Sequence, residues 1–190
     1  MKTMKRITLL GATGSVGRRA LELVSAFPDA LRVEGLAARG SNVSLLAELC
    51  LRHKPKAVAL LEAGAVDALA RLLPHPRPEL LSGPKGLVTL AAETDADVVL
   101  SALVGGAGLL PTMAAIQAGR AVALANKETL VMAGHIVTEE ARRYGVQLLP
   151  VDSEHSAIWQ CLWGENPDSI ARLILTASGG ALREIGRAHV

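Results

Sequence analysis

Asp152 and Glu154, in the stretch Leu149-Pro150-Val151-Asp152-Ser153-Glu154-His155, are the residues whose type and spacing best suit chemistry. Two carboxylates two residues apart project from one face of an extended chain, whereas on a helix they diverge. Placed that way they form half of an all-oxygen site of the kind Mg²⁺ and Mn²⁺ prefer, harder than the imidazole and thiolate that suit zinc. The competing reading of the same residues is structural: Asp152 or Ser153 caps a helix beginning near Glu154. Two ligands leave a metal shell incomplete, so the elements upstream must decide between the two.

A second chemical signal opens the chain. Ile7-Thr8-Leu9-Leu10 is a short apolar and β-branched run, and a helical pattern follows through Val16, Ala20, Leu21 and Val24. Between them stands Gly11-Ala12-Thr13-Gly14-Ser15-Val16-Gly17, with glycines spaced G-x-x-G-x-x-G. Glycine there permits a tight turn and close approach of backbone to a pyrophosphate, and the helix N-terminus beyond it offers N–H groups and a positive dipole end. Thr13 and Ser15 add hydroxyls. As the first strand-to-helix turn of the chain, this predicts a dinucleotide site. The second strand, Val33 to Ala38, runs into Arg39-Gly40-Ser41-Asn42, where an NAD enzyme carries an acid for the ribose. Glu34 lies too early to serve. Arg39, Ser41 and Asn42 suit a 2′-phosphate instead, which favours NADP.

The elements that must position these groups alternate. Strands are predicted at 57–61, near 79–82, at 97–103, 121–125 and 146–149. Helices are predicted through Leu45 to Leu49, Val66 to Leu72, 86–92, 110–118, 134–144 and 156–163, and a strand of a different layer over 170–177. The pattern predicts an α/β fold: a Rossmann-like doubly wound parallel sheet over 1–150, then the beginning of a second α+β catalytic domain at 151–184. Val104 to Gly108 is read as a flexible loop beneath the nicotinamide. Asn126-Lys127-Glu128 follows a buried strand directly, at the edge where open parallel sheets bind ligands. Ser178-Gly179-Gly180 is a candidate anion nest, although a plain turn is the commoner meaning.

Half of the 190 residues are apolar and few are aromatic, as expected of a sheet covered by helices. The net charge of +2 with scattered Lys and Arg gives no nucleic-acid footprint, and no stretch is long enough to span a membrane. Cys50 and Cys161 sit in apolar helical patterns and read as two buried free thiols of a reducing cytoplasm.

Four ordered blocks together resemble 1-deoxy-D-xylulose 5-phosphate reductoisomerases: Gly11 to Gly17, Leu124-Ala125-Asn126-Lys127-Glu128-Thr129-Leu130-Val131, Leu148 to Ile158 and Leu175 to Gly180. The middle two are the specific ones. That family uses NADPH and Mg²⁺ or Mn²⁺ to rearrange and reduce a linear sugar phosphate on the non-mevalonate route to isoprenoids. The resemblance implies that Thr13, Gly14, Ser15 and Val16 hold the pyrophosphate, and that Gly40, Ser41 and Asn42, beside Arg39, lie near the 2′-phosphate. Asn126 and Glu128 would lie along the cofactor. Lys127 would contact substrate, Asp152 and Glu154 would be metal ligands, and Ser153 and Ser178 would touch substrate oxygens or phosphate. It also implies a cytoplasmic enzyme, homodimeric at full length.

Two departures stand out: the loop after the second strand looks one residue longer than the family pattern, and Ala181-Leu182 replaces the usual Pro-Phe. Residues 185–190 do not continue the pattern and are read as a non-native tail on a truncated chain, expected to be inactive alone. Two other functions fit parts of the sequence: a non-catalytic NADP-binding module, and an NADP-dependent dehydrogenase of the semialdehyde or homoserine type. The last predicts a nucleophilic cysteine or a Lys/Asp pair, and neither cysteine has a suitable setting.

Overall fold

The computed structural model describes residues 4–174, and the chain divides after Asp152 into two units. The first unit holds seven parallel strands in the order β4-β3-β2-β1-β5-β6-β7. Their ranges are β1 Lys5–Leu10, β2 Leu31–Ala38, β3 Ala57–Leu60, β4 Glu79–Ser82, β5 Val98–Ser101, β6 Ala121–Leu124 and β7 Leu148–Pro150. The order runs outward from β1 to one edge and then restarts beside β1 with β5, so the strand order reverses between these two neighbours. In open α/β sheets a crevice opens at the carboxyl ends of the strands at such a point.

Why the sheet is double-faced is visible in single strands. On β1, Leu9 packs into one core and Leu10 into the other; on β2, Leu36 and Ala37 divide the same way. Alternate side chains point to opposite faces, so a strand buried on both must be apolar throughout. β3 is Ala-Val-Ala-Leu, wholly buried. One core takes Leu21 and Val24 of α1 (Ser15–Ala26), Leu46 and Leu49 of α2 (Val43–His53) and Leu69 of α3 (Val66–Leu72). The other takes Leu87 and Leu90 of α4 (Gly83–Glu93), Ile116 of α5 (Leu109–Gln117) and Val137 of α6 (Lys127–Arg143). Three helices thus cover each face, the doubly wound arrangement expected.

The structure corrects several local readings. α6 begins at Lys127, not Gly134: the helix is interrupted at Ala133 (φ −146°, ψ 31°), and the expected 134–144 helix is the part beyond the break. Val104 to Gly108 contains one 3-10 helical turn, over Gly105–Gly108. Cys50 is buried in the first core, where burial pushes its thiol up to about 12, but Cys161 is exposed. Among the described residues no helix is long and apolar enough to cross a membrane.

In the second unit, α7 covers Ser153–Leu162, and Trp159 and Trp163 on successive turns bring their rings to 4.4 Å. Residues 170–174 form no strand, contrary to expectation, and 175–177 lie outside the described residues.

β1 and β5 are also joined at their amino ends. Asp97 accepts hydrogen bonds from the Arg6 backbone N–H at 2.8 Å and from its guanidinium at 2.9 Å, and Arg6 also pairs with Asp95. Chiefly through the guanidinium bond, the Asp97 carboxyl falls to about 2. A depressed carboxyl stabilises the fold above the ordinary carboxylate pKa near 4, and that contribution disappears as pH falls from about 4 to 2. Asp97→Asn should therefore lower the unfolding midpoint at pH 6 and converge on the parent by pH 2. A gap independent of pH would mean that the pair contributes nothing through its charge.

Candidate functional site

Two adjoining cavities open at the carboxyl ends of β1 and β5. One, of about 300 Å³, is lined by Gly11, Thr13, Gly14, Arg39, Leu61 and the Ala102 to Val104 segment. The other, of about 250 Å³, shares Gly14 and Ala102 to Val104 and adds Ser15, Val16, Asn126, Lys127, Glu128 and Asp152. The topology gathers them because each follows the carboxyl end of a strand, β1 and β5 at the point of reversal and β2, β3, β6 and β7 to either side of it. A cavity of about 290 Å³ lies elsewhere on the sheet, but Glu34, the buried acid in its wall, already pairs with Lys56 Nζ at 2.8 Å. The walls of that cavity, with Lys56, Glu79 and Asp95, lie toward the amino ends of β3, β4 and β5, and Glu34 lines neither cavity at the carboxyl ends.

The glycine turn is built for close approach. Gly11 has φ +100°, and a Cβ there would lie 2.4 Å from the Ala102 carbonyl oxygen. A Cβ on Gly17 would lie 2.2 Å from Gly11 O, so only glycine lets α1 pack this closely on the turn. Gly14 differs. Its φ of −74° suits any residue, and a Cβ would meet only Gly11 O, at 3.3 Å, yet both cavities are lined by it. No side chain caps α1, which leaves its first-turn N–H groups to a ligand. A site whose backbone is bare where a phosphate would lie, with a helix N-terminus aimed there, fits a dinucleotide pyrophosphate.

On the β2 side, Arg39 is exposed and its Nε lies 3.5 Å from Glu62 Oε1. Gly40 has φ +119°, and Asn42 caps α2, its Oδ1 accepting from Leu45 N at 3.0 Å. Ser41 is exposed. Glu62 escaped the sequence reading because nothing in its own stretch ties the end of β3 to the loop after β2.

On the β6 side, Asn126 caps α6 and is 2% exposed. Lys127 is exposed, and its Nζ lies 4.0 Å from Asp152 Oδ2. Asp152 lines the cavity from just beyond β7. Glu154 and Ser153 lie instead in the first turn of α7, so the acidic pair does not stand on an extended chain: the helix foreseen in the capping reading is present. Among the described residues no group of three or more His, Cys, Asp or Glu is placed to hold a metal. Asp152 is a hard oxygen donor facing the cavity, which fits a magnesium-type ion as a partial ligand set. Ser178, in the candidate nest, lies outside the described residues.

Family models match the chain over almost its full length: 1-deoxy-D-xylulose 5-phosphate reductoisomerase over residues 7–134, and the C-terminal domain of the same enzyme over 148–190. A reductoisomerase of that name from Desulforamulus reducens is 52% identical over 186 residues, 97% of this chain and 48% of the relative. The solved reductoisomerase from Zymomonas mobilis in complex with NADPH superposes with a TM-score of 0.88 at 41% identity, over 96% of this chain and 48% of that one. A reductoisomerase structure in complex with magnesium gives 0.86 at 36% identity, over 95% and 48%. The chain therefore spans about half the length of the relatives it matches.

Proposed function

The chain belongs to the 1-deoxy-D-xylulose 5-phosphate reductoisomerase family, and from that premise we propose that it carries the cofactor half and the first metal ligands of such an enzyme. The reaction is the NADPH- and divalent-metal-dependent conversion of 1-deoxy-D-xylulose 5-phosphate to 2-C-methyl-D-erythritol 4-phosphate. The observation that supports it best is the shared cleft, in which Gly14 lines both the Arg39 cavity and the cavity of Lys127 and Asp152. Cofactor and substrate groups thereby face one space, as a hydride transfer requires.

In this reading Thr13, Gly14, Ser15 and Val16 cradle the pyrophosphate, while Arg39, Gly40 and Ser41 receive the 2′-phosphate. Asn42 contributes there through its Nδ2 donor, its side-chain oxygen being bonded to Leu45 N. Glu128 lies along the cofactor. The exposed Lys127 ammonium meets the anionic substrate, Ser153 is a further substrate contact, and Asp152 and Glu154 hold Mg²⁺ or Mn²⁺. When bound, the metal stabilises negative charge on substrate oxygens and NADPH supplies the reducing equivalent. The enzyme acts in the cytoplasm on a small sugar phosphate, as a homodimer at full length, with no nucleic-acid or membrane partner.

The test is cofactor preference. Titrated by nicotinamide fluorescence, the chain should bind NADPH at least about 10-fold more tightly than NADH, since a 2′-phosphate gains a charge-assisted contact that a hydroxyl lacks. Arg39→Ala should narrow that gap. Equal or reversed affinities in the parent would overturn the NADP assignment.

A further inference from the structure

We propose that the Asn126 side chain is a positioning residue that ties the Leu103 to Gly108 turn to the start of α6, and so sets the wall on which the nicotinamide half of the cofactor rests. The proposal deepens, and rests on, the cofactor reading above. Its basis is that the amide is fully occupied. Nδ2 donates to the Leu103 carbonyl and, at 3.0 Å, to the Gly105 carbonyl. Oδ1 accepts from the Thr129 backbone N–H at 3.0 Å and from Thr129 Oγ1 at 3.1 Å. An asparagine amide has two donor hydrogens and two acceptor lone pairs, so no side-chain capacity is left for a ligand. Any hydrogen bond that position 126 makes to the cofactor must come through its backbone carbonyl, since its N–H donates to Ser101 O.

What the amide joins is the functional part of the cleft. Leu103 and Val104 line both cavities, and Lys127 and Glu128 begin the helix that Asn126 caps. The anchor itself is held: Asn126 N–H donates to Ser101 O at 3.0 Å, and Ser101 Oγ lies 2.8 Å from Thr112 Oγ1 in a buried pair. Gly108 belongs to the same device, because a Cβ there would lie 2.6 Å from Asn126 Nδ2. A smaller cap keeps the helix but drops the turn. Serine can accept from Thr129 N–H yet lacks the second donor and the reach to bridge two carbonyls. Aspartate keeps both acceptors and sets a carboxylate against two carbonyl oxygens.

The experiment compares two ligands on the purified 190-residue chain: NADPH, and adenosine 2′,5′-bisphosphate, which lacks the nicotinamide half. Asn126→Ser should weaken NADPH about fivefold or more and reduce the nicotinamide fluorescence gain, while the bisphosphate affinity stays within twofold of the parent. Backbone amides of Val104 to Gly108 should exchange faster with solvent. Asn126→Asp, measured alongside in case the serine variant does not fold, should show the same split. Unchanged affinity for both ligands, or a proportional loss of both, would overturn the positioning role. If the parent itself bound neither ligand, the cofactor reading would fall, and the exchange rates of Val104 to Gly108 would then decide whether the tie exists.

Discussion

Gly14→Ala is expected to leave the fold nearly intact and remove most cofactor binding, whereas Gly17→Ala is expected to damage both. At Gly14 the backbone is unstrained and a methyl meets one carbonyl oxygen at 3.3 Å, so the stability cost should be about 1 kcal/mol or less, the usual range for a changed helix N-cap. That methyl nevertheless occupies the space where a pyrophosphate must approach the backbone, and NADPH affinity should fall about 10-fold or more. At Gly17 the methyl would lie 2.2 Å from Gly11 O and 2.8 Å from Ala12 Cα, both backbone atoms that no rotamer change can move. α1 would have to lift from the turn, at about 2–4 kcal/mol, more than the 1 kcal/mol that alanine gains in a helix interior. Urea unfolding and fluorescence titration measure the two effects separately. If Gly14→Ala bound NADPH as the parent does, the glycine turn would serve packing alone.

The second expected result is a separation of cofactor binding from turnover. Given 1-deoxy-D-xylulose 5-phosphate and Mn²⁺, the 190-residue chain should bind NADPH yet oxidise it no faster than its substrate-free background. The reason lies in the donor set. Asp152 and Glu154 are the two carboxylates assigned to the metal, and among the described residues no group of three or more His, Cys, Asp or Glu is placed to hold one. Two ligands leave most of an octahedral shell to water, where the stabilisation of developing charge is strongly screened. Catalytic geometry is also unforgiving, since a misplacement of about 1 Å can cost on the order of 100-fold in rate. Mn²⁺ binding, followed by the spin resonance of the free ion, should be weak and should fall further in Asp152→Asn with NADPH affinity unchanged. Substrate-dependent oxidation above background would show that these two carboxylates suffice. A joint loss of metal and cofactor binding in Asp152→Asn would make the acid structural.

These two results depend on sequence features of different legibility. The glycine turn could be read because most of its demands are local: Gly17 is glycine for contacts with Gly11 and Ala12 within the turn and Gly11 for its positive φ, although the Ala102 carbonyl against Gly11 comes from the end of β5. Strand positions were legible for a similar reason, as a strand buried on both faces is apolar throughout. The acidic pair was harder. Val151-Asp152-Ser153-Glu154 is compatible with either an extended segment or a helix start, and nothing within four residues distinguishes them. The structure begins α7 at Ser153.

α6 shows where a local signal was present and lost. Asn126 three residues before Thr129 is a capping pattern, but Gly134 and the break at Ala133 divide the helix and hide its start, although the buried positions Thr129, Ala133, Val137 and Ala141 keep one spacing through it. Cys161 was misplaced because an apolar pattern marks a face to be covered without saying whether anything covers it.

By itself the sequence determined the class of fold, the cofactor turn and the two polar clusters at strand ends, because each follows from contacts within a few residues or from an alternation that repeats along one element. Only the tertiary structure decided that Arg39 stands beside Glu62, that Lys127 and Asp152 line a cavity with Gly14, and that the Asn126 amide is spent on the Leu103 to Gly108 turn. The partners in those contacts are 23 residues apart in the first case, and 21 and 23 in the last. They meet because β2 lies beside β3 and β5 beside β6, while the reversal between β1 and β5 brings Gly14 to the Lys127 and Asp152 cavity, and a meeting set by strand order leaves no mark in the residues on either side of it.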